Sequence, residues 1–123
     1  MAPDPERRQS PRHPADPRTV CDLLIGESVT CRTLAVANLS EGGARLLMSR
    51  PLAPGEPLWA FLHHEGRRFY CMRMAQVIYA HRFSGGAYIL GVAFHRELSA
   101  AEVEGLRGRG VGDVVALPEP DPA

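Results

Sequence analysis

Lysine is absent from the 123 residues, so all fourteen basic side chains are arginine. Arginine carries a planar, permanently charged fork that grips phosphates and carboxylates bidentately, which lysine does not. A genome rich in G and C produces the same bias, and the abundance of Ala, Gly and Pro fits that origin, so composition alone identifies no ligand. An excess of either charge is also missing. Fourteen acidic residues bring the formal charge to zero, which argues against a protein that coats DNA or an anionic membrane, because both need a net basic field. Long apolar runs are lacking too: the longest, YILGVAF at Tyr88 to Phe94, falls far short of the roughly 20 residues of a spanning helix. The Arg7-Arg8 pair is followed by QSPRHPADP instead of an apolar stretch, so it does not read as an export signal. These absences place the chain in the cytoplasm, without membrane insertion. Cysteine is scarce: Cys21, Cys31 and Cys71 form no CxxC pair, and their odd number closes no disulfide framework. They read as reduced thiols packed like small apolar side chains. Metal binding is not expected, since His63 and His64 are adjacent on a predicted strand and point to opposite faces.

What is present is mostly the signature of short strands. Residues 1–17 carry five prolines and almost no apolar bulk, and predict a flexible arm that contributes little to a core. Residues 111–123 end in the acidic ALPEPDPA and read as a solvated tail. Between them lies one domain, residues 18–110. Predicted strands run over residues 18–27, 29–37, 43–48, 56–64, 67–80 and 87–95, separated by turns too short for crossover helices. Six such strands predict an all-β, six-stranded antiparallel β-barrel. Trp59, Phe61, Phe69, Tyr70, Tyr79, Tyr88 and Phe94 fall in these strands, where packing in the core is the ordinary role of an aromatic ring. Ser99-Ala-Ala-Glu102 is a capping-box pattern that opens a short C-terminal helix through about Arg107.

One stretch interrupts the alternation: NLSEGGARL, Asn38 to Leu46. Asn38 and Ser40 are one alternation apart and face the same side of an extended segment. Gly42 and Gly43 are free to take positive φ and leave room for another molecule near the backbone. A plain connecting turn uses the same residues. Far upstream, Arg8 and Arg12 stand four apart in a segment that Pro11 keeps out of a helix, with Arg7 adjacent; in isolation this is a solvated charged arm. Ser40 has no GxSxG context, and no base is legible beside it, so catalysis is not expected.

Taken together, RxxxR, a strand hairpin and then NxSxxG resemble the PilZ domain family, bacterial receptors of cyclic di-GMP. Arg8 and Arg12 match the first motif, and Asn38, Ser40 and Gly43 match the second; the resemblance extends from about Glu6 to Leu106. It implies a ligand, cyclic di-GMP, and no cofactor. Arginine forks suit both the phosphates and the O6/N7 edge of guanine. The resemblance further implies that Asn38 faces a guanine edge, that Ser40 donates to a ligand oxygen, and that Gly43 leaves space for the base. Arg7 would admit a second stacked ligand, as in some family members, and so a ligand-dependent dimer. The expected function is a receptor whose arm, with Arg7, Arg8 and Arg12, orders on the nucleotide and signals to an unidentified downstream protein. Two other readings stand beside it: a barrel of this kind that has lost nucleotide affinity and acts as a protein-interaction adaptor, and an RNA- or single-strand-binding barrel, for which Arg67-Arg68-Phe69-Tyr70 is the only local hint.

Overall fold

The computed structural model describes residues 11–27 and 29–108. Eight strands follow in chain order: β1 (His13–Pro14), β2 (Thr19–Ile25), β3 (Val29–Arg32), β4 (Ala35–Leu39), β5 (Gly43–Met48), β6 (Pro57–His64), β7 (Phe69–Arg82) and β8 (Tyr88–Phe94). One helix, α1 (Ala100–Leu106), closes the described chain. Every strand pairing is antiparallel, and the order across the sheet is β1-β4-β5-β8-β7-β6-β2-β3. No helix among the described residues is long and apolar enough to cross a membrane.

The all-β class and the short helix agree with the sequence, but the closed six-stranded barrel does not. The sheet is a curled half-barrel of eight strands. The strand expected over residues 29–37 breaks into β3 and β4, which lie toward opposite ends of the strand order. At the break Thr33 donates its N–H to Cys21 O at 3.0 Å, while the next residue, Leu34, donates to Leu47 O at 2.7 Å. Two successive residues thus satisfy their backbones on two different strands, and the chain has to change partner between them. The eighth strand comes from the arm, whose His13 and Pro14 pair with Leu39 and Asn38 of β4.

Alternation along the strands builds the core. In β6, Leu58, Ala60, Leu62 and His64 point inward, and in β7 Cys71, Arg73, Ala75 and Val77 do so. Leu23, Leu39, Leu46, Leu62 and Leu90 are fully buried, each stabilising the fold by about 1.5–3 kcal/mol. The aromatic core expected from sequence is not found: of the seven rings, only Phe94 is buried, and Tyr70 is 61% exposed. Leucine and valine fill most of the narrow interior; Phe69 is half-buried against the core, and the remaining rings are half-buried or, at Tyr70, exposed. Cys21, Cys31 and Cys71 are free. Burial pushes the Cys21 thiol far above the ordinary range and, with a smaller effect from Glu102, raises Cys71 to about 11, so both stay protonated and inert.

Helix α1 forms as its capping box predicts. Ser99 Oγ accepts from Glu102 N at 3.1 Å, and Glu102 Oε1 accepts from Ser99 N at 2.8 Å. Its seven residues are too few to hold a helix alone. Val103 and Leu106 are buried against the sheet, and inward-pointing Arg73 reaches Glu102 Oε1 at 2.5 Å and Arg96 O at 3.1 Å.

Candidate functional site

The turn between β4 and β5 is held by its own serine. Ser40 N donates to Gly43 O at 2.9 Å, and Ser40 Oγ accepts from Gly42 N at 3.2 Å. Glu41 O and Gly42 O accept from Leu98 N and Phe94 N at 2.8 and 2.9 Å, which fastens the turn to the end of β8 and the approach to α1. Two sequence expectations change here. Neither Gly42 nor Gly43 takes positive φ. The room that a missing side chain leaves at Gly43 is filled from within, because a Cβ there would run into the Val92 carbonyl of β8. Gly43 is required by strand packing. The open space lies at Gly42, where a Cβ would meet nothing within 4 Å.

The structure brings the two sequence motifs together. Because β1 runs beside β4, Arg12 arrives next to Asn38, and its Nη1 donates to Asn38 Oδ1 at 2.9 Å across 26 residues of chain. Arg12 is exposed and Asn38 half-buried. Arg7 and Arg8 lie outside the described residues.

Asn38 belongs to a row of residues that crosses five strands. Pro14 stands opposite Asn38, Asn38 opposite Arg45, Arg45 opposite Gly91, and Gly91 opposite Tyr79. Arg45 Nε donates to Tyr79 Oη at 2.8 Å. The bond crosses above Gly91, where any Cβ would strike the Tyr79 ring. Arg45 and Tyr79 were not singled out from sequence. Arg45 was within reach, being one alternation beyond Gly43 on the same face. Tyr79 was not, because a bulge between Val77 and Tyr79 shifts the register of β7 against β8. With Arg12 bonded to Asn38, the row offers two guanidinium groups, a neutral amide and an aromatic ring on an open strand face. Such a set can hydrogen-bond anions and purine edges and stack on a planar base.

The arm is attached behind this row. Ala15 is 1% exposed and joins the core cluster, so the second half of the arm does contribute to packing. Asp16 N and Thr19 Oγ1 donate to Leu106 O at 3.0 and 2.6 Å, and Gly108 N donates to Pro14 O at 2.7 Å. Asp16 itself is buried, with Arg67 Nη2 2.8 Å from Oδ2 and His64 Nε2 2.8 Å from Oδ1, the latter too bent for a regular hydrogen bond. His64 Nδ1 accepts from Gly66 N and Arg67 N, both at 3.0 Å, which puts the ring proton on Nε2, facing the carboxylate. Burial alone would raise the Asp16 pKa, but the Arg18 N–H, His64 and Arg67 together outweigh it and hold the carboxyl below its ordinary value. Arg67 Nη1 also donates to Gly105 O and Arg107 O at 3.2 and 2.9 Å, satisfying carbonyls at the end of α1. His63 takes the other face, with Nε2 3.6 Å from Asp22 Oδ2. Arg32 binds that same carboxylate through both oxygens, at 2.7 and 3.0 Å, and lowers its pKa.

Two concavities lie beside the sheet, the smaller of them bordering both motifs through Pro11, His13 and Glu41. A depression of about 100 Å³ sits between the arm, the Glu41 turn and α1, and an open one of about 560 Å³ lies on β2, β6 and the start of β7. A family model described as the PilZ domain matches residues 6–108, spanning both motifs, the eight strands and the helix. No curated protein matches the chain.

Proposed function

The chain belongs to the PilZ domain family, and from that premise we propose that it is a cytoplasmic receptor for cyclic di-GMP that passes the signal to a protein partner. One observation carries this reading: the Arg12 guanidinium and the Asn38 amide, one from each motif, meet at 2.9 Å. In the bound state Arg12 exchanges the neutral Asn38 oxygen for a phosphate or the O6/N7 edge of guanine, where a charge-assisted, two-pronged contact is available. Asn38 is then free to turn toward a guanine edge. Arg45 and Tyr79 extend the platform, Arg45 as a second cation and Tyr79 as a stacking surface. Gly42, with open space beside it, lets the ligand approach the turn. Arg8, with Arg7 before it, would close over the ligand from the other side. Residues from His13 onward are already paired in the sheet, so the proposed change of the arm on binding concerns Arg7, Arg8 and the exchange of partner at Arg12. Arg7 leaves room in the proposal for a second nucleotide and a ligand-bridged dimer.

Calorimetric titration with cyclic di-GMP, GTP and a short RNA tests the reading. Cyclic di-GMP should bind and the other two should not. Loss of one charge-assisted hydrogen bond costs about 1.5–3 kcal/mol, so Arg12→Ala should weaken binding roughly tenfold to a hundredfold. An unchanged dissociation constant in Arg12→Ala overturns the assignment. A second reading, an adaptor without nucleotide affinity, draws on Ser40 and Gly43, which both have structural tasks in the turn; it predicts no heat with any of the three ligands.

A further inference from the structure

The hairpin of β6 and β7 turns an apolar face outward. Leu58, Ala60, Leu62 and His64 point into the core, so alternation sends Trp59, Phe61 and His63 to the outside. On β7 the same alternation leaves Tyr70, Met72 and Met74 61%, 41% and 38% exposed. The register sets these residues side by side: Trp59 stands opposite Met74, Phe61 opposite Met72, and His63 opposite Tyr70. A contiguous apolar face of this kind marks a contact surface. Beyond the last row, Glu65 follows β6 and Arg68 precedes β7. Both are exposed, and neither forms an ion pair among the described residues. Arg68 holds φ at 54°, in the left-handed region where glycine would be free of strain.

This arrangement is its own complement. A two-fold axis along the strands, midway between β6 and β7, exchanges the two strands and leaves each row at its level. Met74 of one copy then meets Trp59 of the other, and Met72 meets Phe61, which are sulfur–ring contacts that methionine makes well. Tyr70, the most exposed large apolar side chain among the described residues, comes over His63 of the other copy and into the depression of about 560 Å³ that His63 and Phe61 help to wall. At the end of the face Glu65 meets Arg68, and Arg68 meets Glu65. Asp22, on another wall of the depression, is already neutralised by Arg32. The face thus carries no excess of either sign that a strongly basic or acidic partner would match, whereas a second copy matches it group by group.

We propose that the outer face of the β6–β7 hairpin docks on the same face of a second copy, about a two-fold axis along the strands. Two sheets packed face to face in this way lie about 10 Å apart. The face spans roughly 20 Å by 10 Å, far below the roughly 800 Å² that each partner of a stable complex buries, so the dimer is reversible and depends on concentration. It uses neither Arg12 nor Asn38 and stands independently of the nucleotide reading.

Sedimentation equilibrium of the full chain over a dilution series tests this, with acrylamide quenching of Trp59, the single tryptophan, as a local probe. The native chain should pass from monomer to dimer as concentration rises, and quenching of Trp59 should fall over the same range. Met74→Asp sets a charge beside the axis and should stay monomeric, with thermal unfolding checking that it is folded. Glu65→Arg and Arg68→Glu, both in the exposed turn, should each weaken dimerisation several-fold, and the double variant Glu65→Arg/Arg68→Glu should regain it, because the reversed pair is again complementary. An equimolar mixture of the two single variants should form heterodimers more readily than either forms homodimers. A native chain that remains monomeric throughout the series overturns the proposal. So does a double variant that dimerises no better than the single ones, or dimerisation that Met74→Asp leaves unchanged, which would place the contact on another face.

Discussion

Gly42 and Gly43 are neighbours in sequence but stand in different surroundings, and alanine substitution at each separates folding from binding. At Gly43 the added methyl meets the backbone of β8 at Val92, an atom that cannot swing aside as a side chain would. Either β5 or β8 has to move, straining a ladder in which Gly43 pairs with Ala93. Overpacking of this kind costs about 1–3 kcal/mol. For a domain of this size, 2 kcal/mol lowers Tm by roughly 10 °C. At Gly42 a Cβ meets nothing within 4 Å and φ is not positive. Alanine there should be neutral in stability or gain up to about 1 kcal/mol through a less flexible unfolded chain. Thermal unfolding followed by circular dichroism measures both, and calorimetric titration with cyclic di-GMP measures affinity in each. The expected pattern is a destabilised Gly43→Ala, and a fully stable Gly42→Ala whose affinity falls because the methyl stands where the ligand approaches. Equal melting temperatures for the two variants would refute the packing argument, and unimpaired binding by Gly42→Ala would remove that glycine from the site.

Asp16→Asn should destabilise the protein by about 3 kcal/mol at pH 7, since it leaves Arg67 without its buried counter-charge. The folded-state pKa of Asp16 is depressed, so its contribution is complete above the unfolded-state value near 4 and is lost as pH falls through the lower folded value. Urea titrations should therefore show the gap between wild type and Asp16→Asn closing below about pH 4; a gap constant down to pH 2 would contradict the assignment. Asn38→Asp should bind cyclic di-GMP as well as or better than the native protein, because a carboxylate accepts strongly from guanine N–H groups, and calorimetry showing a tenfold or greater loss would place Asn38 away from the base. Ser99→Ala should cost about 1 kcal/mol by breaking the capping box of α1, a loss that chemical denaturation resolves.

Local chemistry in the chain was enough to determine the β class, the alternation that sends Leu58, Ala60 and Leu62 inward, the start of the helix at Ser99, and the two motifs on which the family resemblance rests. Each depends on residues within a few positions of one another: side-chain alternation in a strand, a hydroxyl and a carboxyl three residues apart, a proline that forbids a helix. What lies between distant segments was decided by tertiary structure alone. The break at Thr33 follows from two strands, β2 and β5, competing for successive backbone groups. Docking of the arm depends on the end of α1, some ninety residues away, offering Leu106 O to Asp16 and Thr19. Tyr79 joins Asn38 and Arg45 only because a bulge shifts β7 by one residue, and Gly43 proved to be a packing glycine only once β8 lay against it. The apolar residues of β7 had the same hydrophobicity whichever way they faced; the register with β6 and β8 turned Tyr70, Met72, Met74 and Ile78 outward, because a strand has two faces and this narrow interior already had its leucines.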